Sequence, residues 1–389
     1  MKKRLAIFMF VLSSIFFLFG CTQTNNTSNK TKENSTELFI FPENPYVDVY
    51  GKTKWGFIDK TGKVIVKPQF DSGLSSSEGF AIIVENHRSG YIDSKGAIIV
   101  KPQFDNCFNF KEGIGLVRNN KKFGYVNSKG NLIFNCTLEY ALDFSEGLAA
   151  IKKDGKFGFI DKTGKIVIKP QFDESVSFSE GLAAIKKDGK WGFIDKTGNV
   201  VIKPIFDEKN IFNEGLAAIK KDGKWGFIDK TGNVVIKPQF DYINAFHENL
   251  ACVGINNKYG YINKTGDIVI KLQFDFFKDK GDRQFSDGLA CIKIDNYYGF
   301  INKNGDIVIK PQFLSATNFS NGISLVKISN EANNLRFGYI DKTGKYINKD
   351  IISNGGVFSN GLAFVGTDNN TNFMYINEKG VVVWKAKAK

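Results

Sequence analysis

The stretch Gly181-Leu-Ala-Ala-Ile-Lys-Lys-Asp-Gly-Lys-Trp-Gly-Phe-Ile-Asp-Lys-Thr-Gly-Asn-Val-Val-Ile-Lys-Pro204 decides the fold. It holds three short runs rich in β-branched and aromatic residues: Leu182–Lys187, Lys190–Asp195 and Asn199–Lys203. Their partial alternation argues for strands. Asp188-Gly189 between the first two is a two-residue hairpin signal, because a primed turn needs positive φ at both central residues. Lys196-Thr197-Gly198 reads as a three-residue loop that closes with glycine in the left-handed region. Pro204 cannot donate to a ladder and is expected to stop the third strand. Phe206 and Phe212 in the following connection are expected to plug the core. Each unit is therefore expected to be a three-stranded antiparallel meander.

Outward from this stretch the pattern repeats. Trp55-Gly56, Ser89-Gly90, Phe123-Gly124, Phe157-Gly158, Trp191-Gly192, Trp225-Gly226 and Tyr259-Gly260 recur at a period of 34 residues. Tyr298-Gly299, Phe337-Gly338 and a degenerate Phe373-Met374 follow at looser spacing. Strict self-similarity at this period marks a repeat architecture whose units share one continuous core. The fold class is thus all-β, a tandem array of about ten meanders over residues 37–389. Propeller blades usually carry four strands, and closure often uses a blade shared by both chain ends. Here the first unit would begin on its own strand at Tyr46–Tyr50 and the last end on Val381–Trp384, so no strand is left to share. That favours an open, curved or superhelical solenoid. A closed, propeller-like ring is the alternative.

The Lys-Trp-Gly-Phe-Ile-Asp stretch at Lys190–Asp195 and Lys224–Asp229, nearly intact at Lys54–Asp59, resembles the hallmark of the bacterial WG-repeat family. The resemblance covers about residues 46–385 and departs at the ends and in the second unit, where Ser89 replaces the aromatic residue. It implies a tandem β-rich repeat domain. It implies no particular activity.

The chain opens Met1-Lys-Lys-Arg4 and continues with the apolar run Leu5–Phe19. A charged segment before a short apolar one is the pattern of an export signal. The run is shorter than the roughly 20 residues a spanning helix needs. It ends Leu18-Phe19-Gly20-Cys21, which resembles a bacterial lipobox, so residues 1–20 read as a lipoprotein signal and Cys21 as the lipidation site. Residues 21–36 are rich in Asn, Thr, Ser and Lys and read as a polar tether that buries too little surface to order itself. Lipid chains on Cys21 would hold the protein at the extracytoplasmic face of the membrane.

Four further cysteines, Cys107, Cys136, Cys252 and Cys291, lie scattered through the repeats with no CxxC or zinc-type spacing. Cys252 and Cys291 occupy the slot of Ala218 and read as small core residues. Only two histidines exist, His87 and His247, in unrelated slots. A histidine-based triad or metal centre has little to work with. Asp59, Asp161, Asp195 and Asp229 precede Lys-Thr-Gly turns and read as turn-opening side chains. Glu146, Glu180 and Glu214, with Asp287, Asn321 and Asn360 later in the same slot, read as a hydrogen-bonding ladder. Repetition gives them identical environments, whereas a glycosidase needs two acids in different ones. No phosphate loop, nucleophile elbow or HExxH is present, so neither a catalytic centre nor a cofactor is expected.

The net charge is +13, and removing Lys2, Lys3 and Arg4 leaves +10. Lys152, Lys153, Lys186, Lys187, Lys220 and Lys221 recur in register and form a candidate binding stripe, accompanied by Lys169, Lys203 and Lys237. Such stripes attract anionic polymers or lipid headgroups. They also keep strand edges from aggregating. Nucleic acid is not expected as the partner of an exported, tethered protein. The repeat aromatics Trp55, Phe123, Phe157, Trp191, Trp225, Tyr259, Tyr298 and Phe337 read as core residues, with an exposed platform for stacking sugar rings as the alternative. The function expected from these features is a membrane-anchored scaffold that binds a protein or an envelope polymer. A cell-wall carbohydrate-binding protein is the second reading.

Overall fold

The computed structural model describes residues 37–43, 53–275, 283–331, 334–352, 354–367 and 372–386. The export signal, Cys21, the tether and Tyr46–Tyr50 lie outside them. Among the described residues the structure is all-β, arranged as ten small antiparallel sheets in chain order. They span 39–70, 72–104, 106–138, 140–172, 174–206, 208–240, 242–275, 290–313, 315–352 and 354–385, and we number them blades 1 to 10.

Blade 5 shows why the repeat folds as it does. Ala183–Lys187 pairs with Lys190–Ile194 across a tight turn in which Asp188 has φ 51° and Gly189 φ 77°. This is the primed hairpin that the Asp-Gly pair calls for. Asp195 then opens the next turn. Its carboxylate accepts the Thr197 amide at 2.9 Å, the Thr197 hydroxyl at 2.7 Å and the Asn199 amide at 2.9 Å, and Gly198 closes the turn at φ 90°. The hydroxyl of Thr197 and the neighbouring amides hold the Asp195 carboxyl below its ordinary range.

Two features differ from the sequence expectation. The third strand does not stop at the proline but runs Val200–Phe206, with Trp191 opposite Phe206 and Phe193 opposite Ile202. Three residues, Lys203-Pro204-Ile205, therefore face Gly192 alone, and the proline sits in the resulting bulge, where a missing N–H costs nothing. The bulge lies directly over Gly192. A Cβ there would stand 2.5 Å from the Ile202 oxygen and 2.6 Å from the Pro204 nitrogen. The aromatic-glycine step and the Lys-Pro step are two halves of one contact. Second, most blades carry a fourth strand, often only two residues long, as at Glu174–Ser175 in blade 5. The unit is larger than a three-stranded meander.

Blades pack face to face. One cluster joins Ala184, Phe193 and Phe206 of blade 5 to Phe212, Ala217, Ile219 and Ile228 of blade 6. Phe206 and Phe212 are buried as expected, and the Phe212 ring meets Phe193 at 4.9 Å. Where a tyrosine takes the Phe193 slot, its buried hydroxyl needs a partner. It donates to a carbonyl beyond its own blade: Tyr125 to Leu142 at 2.6 Å and Tyr261 to Arg283 at 2.8 Å.

The same packing joins the last blade to the first. Phe39, Phe41 and Ile58 share a core with Leu362 and Tyr375. Phe41 meets Trp384 at 5.2 Å, and the Tyr375 hydroxyl donates to the Ile40 oxygen at 2.7 Å. Phe39–Pro42, ahead of the first recognisable repeat, pairs with Trp55–Ile58 and fills the strand slot expected of Tyr46–Tyr50. Of the two architectures considered, the closed ring is the one observed: a ten-bladed β-propeller. The open solenoid is corrected by this seam.

Candidate binding surface

Antiparallel strands put alternate turns at opposite ends of each blade, so the ring has two distinct faces. One carries the Glu-Gly turns and the Asp-Lys-Thr-Gly turns. The other carries the Asp-Gly hairpins.

The first face is a circle of clasps. Glu146 accepts the Gly181 amide of the next blade at 2.9 Å, and Glu180 accepts the Gly215 amide at 3.0 Å. Asp287 accepts the Gly322 amide at 2.7 Å. Lys162, Lys196 and Lys230 close the same carboxylates at 3.0–3.2 Å, pairing with Glu112, Glu146 and Glu180. For Glu112, burial pushes the carboxyl up, but Lys162 and the amides of Gly147 and Glu146 outweigh it and hold it below its ordinary value. At the seam Asn360 donates to Glu37 at 3.2 Å, so the circle closes there too.

The second face carries the candidate stripe. The two-residue hairpin puts Lys187 opposite Lys190 and Lys186 opposite Trp191. The Lys186 ammonium lies 5.6 Å from the Trp191 ring centroid. Lys152 over Phe157, Lys220 over Trp225 and Lys293 over Tyr298 repeat this at 5.6, 5.7 and 5.4 Å. These are separations at which a cation is attracted to the ring quadrupole. Lys186 also pairs with Glu174, and Lys220 with Glu208, both at 2.8 Å. Lys153, Lys187 and Lys221 are exposed.

The repeat aromatics divide. Trp55, Phe123, Phe157, Trp191, Trp225 and Phe337 are half-buried, while Tyr259 and Tyr298 are buried. Ser89, their counterpart in blade 2, is itself buried. In that blade Val84 stands opposite Ser89, in the slot of Lys186, while Arg88, in the slot of Lys190, pairs with Asp105 at 2.6 Å. One arrangement is not legible from the repeat. Lys209, on the short strand of blade 6, reaches back to 4.6 Å from the Trp191 centroid, and burial lowers its pKa. Blade 7 differs as well: Gly254 stands where blades 5 and 6 have lysine. A shallow open depression of about 500 Å³ lies there between Asp241, Tyr242 and Lys258.

All four described cysteines are free thiols. Burial pushes Cys107 and Cys291 up to about 12 and Cys252 further. His87 is exposed in the hairpin of blade 2, and His247 is half-buried in blade 7. Among the described residues no group of three His, Cys, Asp or Glu side chains is placed to hold a metal ion.

The profile of the WG containing repeat matches residues 55–86, 90–123, 123–157, 157–191, 191–225, 225–259, 259–298 and 298–331. No curated protein matches the sequence. Among solved structures, a crystal structure of the eukaryotic initiation factor is 11% identical, with 80% of this chain and 95% of that one covered at a TM-score of 0.54. That likeness is one of fold alone. PorZ of Porphyromonas gingivalis, a bacterial surface component of the type-IX secretion system, is 11% identical over 82% of this chain and 52% of its own, at a TM-score of 0.28. The extracellular domain of a one-component system from B. thetaiotaomicron is 12% identical over 87% and 64%, at 0.32.

Proposed function

The chain belongs to the WG containing repeat family, and from there we propose that it is a non-catalytic binding scaffold, exported and held at the extracytoplasmic face of the membrane through lipid on Cys21. The observation that carries this reading is the lysine set over a half-buried aromatic ring at one place in blade after blade. A groove repeated around a ring suits a partner that is itself extended or repetitive. Each contact is weak, and the others hold the next one at high effective concentration. The partner is a protein or an anionic or glycan polymer of the envelope, and nucleic acid is not expected. A carbohydrate-binding protein that stacks sugars on the repeat aromatics ranks second, because Lys186 and Lys209 already lie over Trp191.

Two measurements test this. Fatty-acid labelling should mark the wild type and be lost in Cys21→Ala; equal labelling of both would remove the anchor. For binding, the full chain is titrated with purified cell-wall polymer and with candidate envelope proteins. The grooves are then removed one at a time through Lys152→Gln/Phe157→Ala, Lys186→Gln/Trp191→Ala and Lys220→Gln/Trp225→Ala. A graded loss supports the scaffold. Total loss from one pair, with the others harmless, would show a localised site instead.

A further inference from the structure

Resting on the scaffold reading, we infer that the third-strand edges of the blades form a second surface, a basic belt that binds a flexible linear polyanion. In each blade the third strand is the last in the sheet and pairs on one side only. In seven of the ten blades its bulge presents a lysine, Lys67, Lys101, Lys169, Lys203, Lys237, Lys271 or Lys310, all of them exposed, whereas blade 3 has Asn135 there. None of the seven has an ion-pair partner among the described residues. This separates them from the hairpin-face lysines Lys186 and Lys220, which Glu174 and Glu208 already neutralise.

The acids nearest along the chain are occupied too. Asp173 and Asp207 hold Lys156 and Lys190 and cap the hairpin amides of Asp188 and Asp222. Asp195 and Asp229 are spent inside their own turns. The belt therefore keeps its positive charge. Beside each lysine lie exposed β-branched residues, such as Val200 and Val201 at 52% and 41%.

Geometry selects the occupant. Blades packed face to face in a closed ring turn their edges to the hub or to the rim. In neither case can a flat membrane touch more than a few edges at once. A linear chain can thread the hub or wrap the rim and meet every lysine. A protein strand added to the edge is disfavoured, because Pro170, Pro204 and Pro238 remove a donor within the bulge. What remains is recognition by side-chain charge, repeated at the interval of the blades, and a polymer of phosphate-type anions offers the matching repeat.

The test uses the full chain and long-chain inorganic polyphosphate, with phosphatidylglycerol vesicles as the second arm. The belt variant carries Lys169→Gln, Lys203→Gln, Lys237→Gln, Lys271→Gln and Lys310→Gln; the groove variant carries Lys152→Gln, Lys186→Gln and Lys220→Gln. Wild type should bind polyphosphate with affinity that falls steeply with salt. Each neutralised belt lysine should reduce the slope of log affinity against log salt by about 0.7, as for single-stranded polyanions. The groove variant should keep the wild-type slope. If the fivefold variant does not fold, Lys203→Gln/Lys237→Gln alone should reduce the slope by about 1.4 on the same basis. No polyphosphate binding by the wild type, or an unchanged slope in the belt variant, overturns the belt. Loss confined to the groove variant also overturns it while leaving the scaffold reading standing. Vesicle binding as tight as polyphosphate binding and lost in parallel would assign the belt to a membrane and refute the linear-polymer proposal.

Discussion

Gly62→Ala distinguishes a closed ring from an open array with one methyl group. Gly62 closes the Asp-Lys-Thr-Gly turn of blade 1 at φ 87°, and a Cβ on it would stand 2.0 Å from the Val383 carbonyl oxygen of blade 10. Gly130 makes the same contact inside the array, its Cβ position 2.2 Å from the Ile99 oxygen of the preceding blade. Gly181 has a similar φ of 90°, yet a Cβ there meets nothing within 4 Å. Placing alanine in the left-handed region costs about 1–2 kcal/mol, and Gly181→Ala should cost that alone. At Gly62 and Gly130 the new methyl also meets backbone that cannot rotate away, adding about 1–3 kcal/mol of overpacking. Both variants should therefore lose about 2–5 kcal/mol, and they should lose the same amount, because the seam is one more interface of the same kind.

The assay is denaturant unfolding of the full chain followed by tryptophan fluorescence and circular dichroism. Reading all three variants against one another matters, since a ring of repeats need not unfold in a single step. If Gly62→Ala behaves like Gly181→Ala while Gly130→Ala is clearly worse, blade 10 does not pack on blade 1. The ring reasoning would then be refuted.

Glu180→Ala strips a partner from the Gly215 amide and from Lys230 and should destabilise by about 1–3 kcal/mol, with Glu180→Gln milder because the amide acceptor survives; unfolding midpoints check this. Gly192→Ala should cost about 1–3 kcal/mol from overpacking alone, since Gly192 is not in the left-handed region and its Cβ would press on the Lys203-Pro204 bulge; native-like circular dichroism at unchanged stability would contradict the paired-contact account. The Glu112 carboxyl sits below its ordinary value, so its contribution is present above the unfolded pKa of about 4.3 and is lost as pH falls through the folded one. Acid unfolding of Glu112→Gln should accordingly show a shallower loss below about pH 4 than wild type. Cys252 and Cys291, buried and held as thiols, should resist alkylation at neutral pH until the ring is unfolded, which mass spectrometry of labelled protein would record.

The parts legible in the sequence are those decided within a few residues. Asp188-Gly189 fixes a primed hairpin, Lys196-Thr197-Gly198 fixes a three-residue turn, and Phe206 and Phe212 are the only aromatic residues in their connection. The hairpin register fixes more than the turn. A two-residue turn at Asp188-Gly189 puts Lys186 across from Trp191, so the cation over the ring follows from the sequence register itself. What escaped depends on partners far along the chain. Glu174–Ser175 is a strand only because Ile185 and Lys186 lie beside it, and two residues show no periodicity. Pro204 reads locally as a stop and becomes part of a bulge because Gly192 leaves room beneath it. Closure depends on the angle between packed blades and on Phe39–Pro42, which lies before any repeat begins.

Closure changes what a binding experiment on this protein can mean. In an open array, units trimmed from one end remove contacts in proportion and leave the rest intact. In the ring, loss of blade 10 exposes the Phe39, Phe41 and Ile58 core of blade 1 and unpairs the Tyr375 contact, so truncation reports on folding before it reports on affinity. Point substitutions on exposed positions are the sound alternative, and the repeat supplies its own controls, since the same slot recurs in blades where the side chain differs. Gly254 in blade 7 and Val84 in blade 2 are such natural departures. If the lysine-aromatic groove is the contact, replacing Gly254 with lysine should add to affinity by about as much as removing Lys220 subtracts. A ring whose function lay in one blade would show no such symmetry.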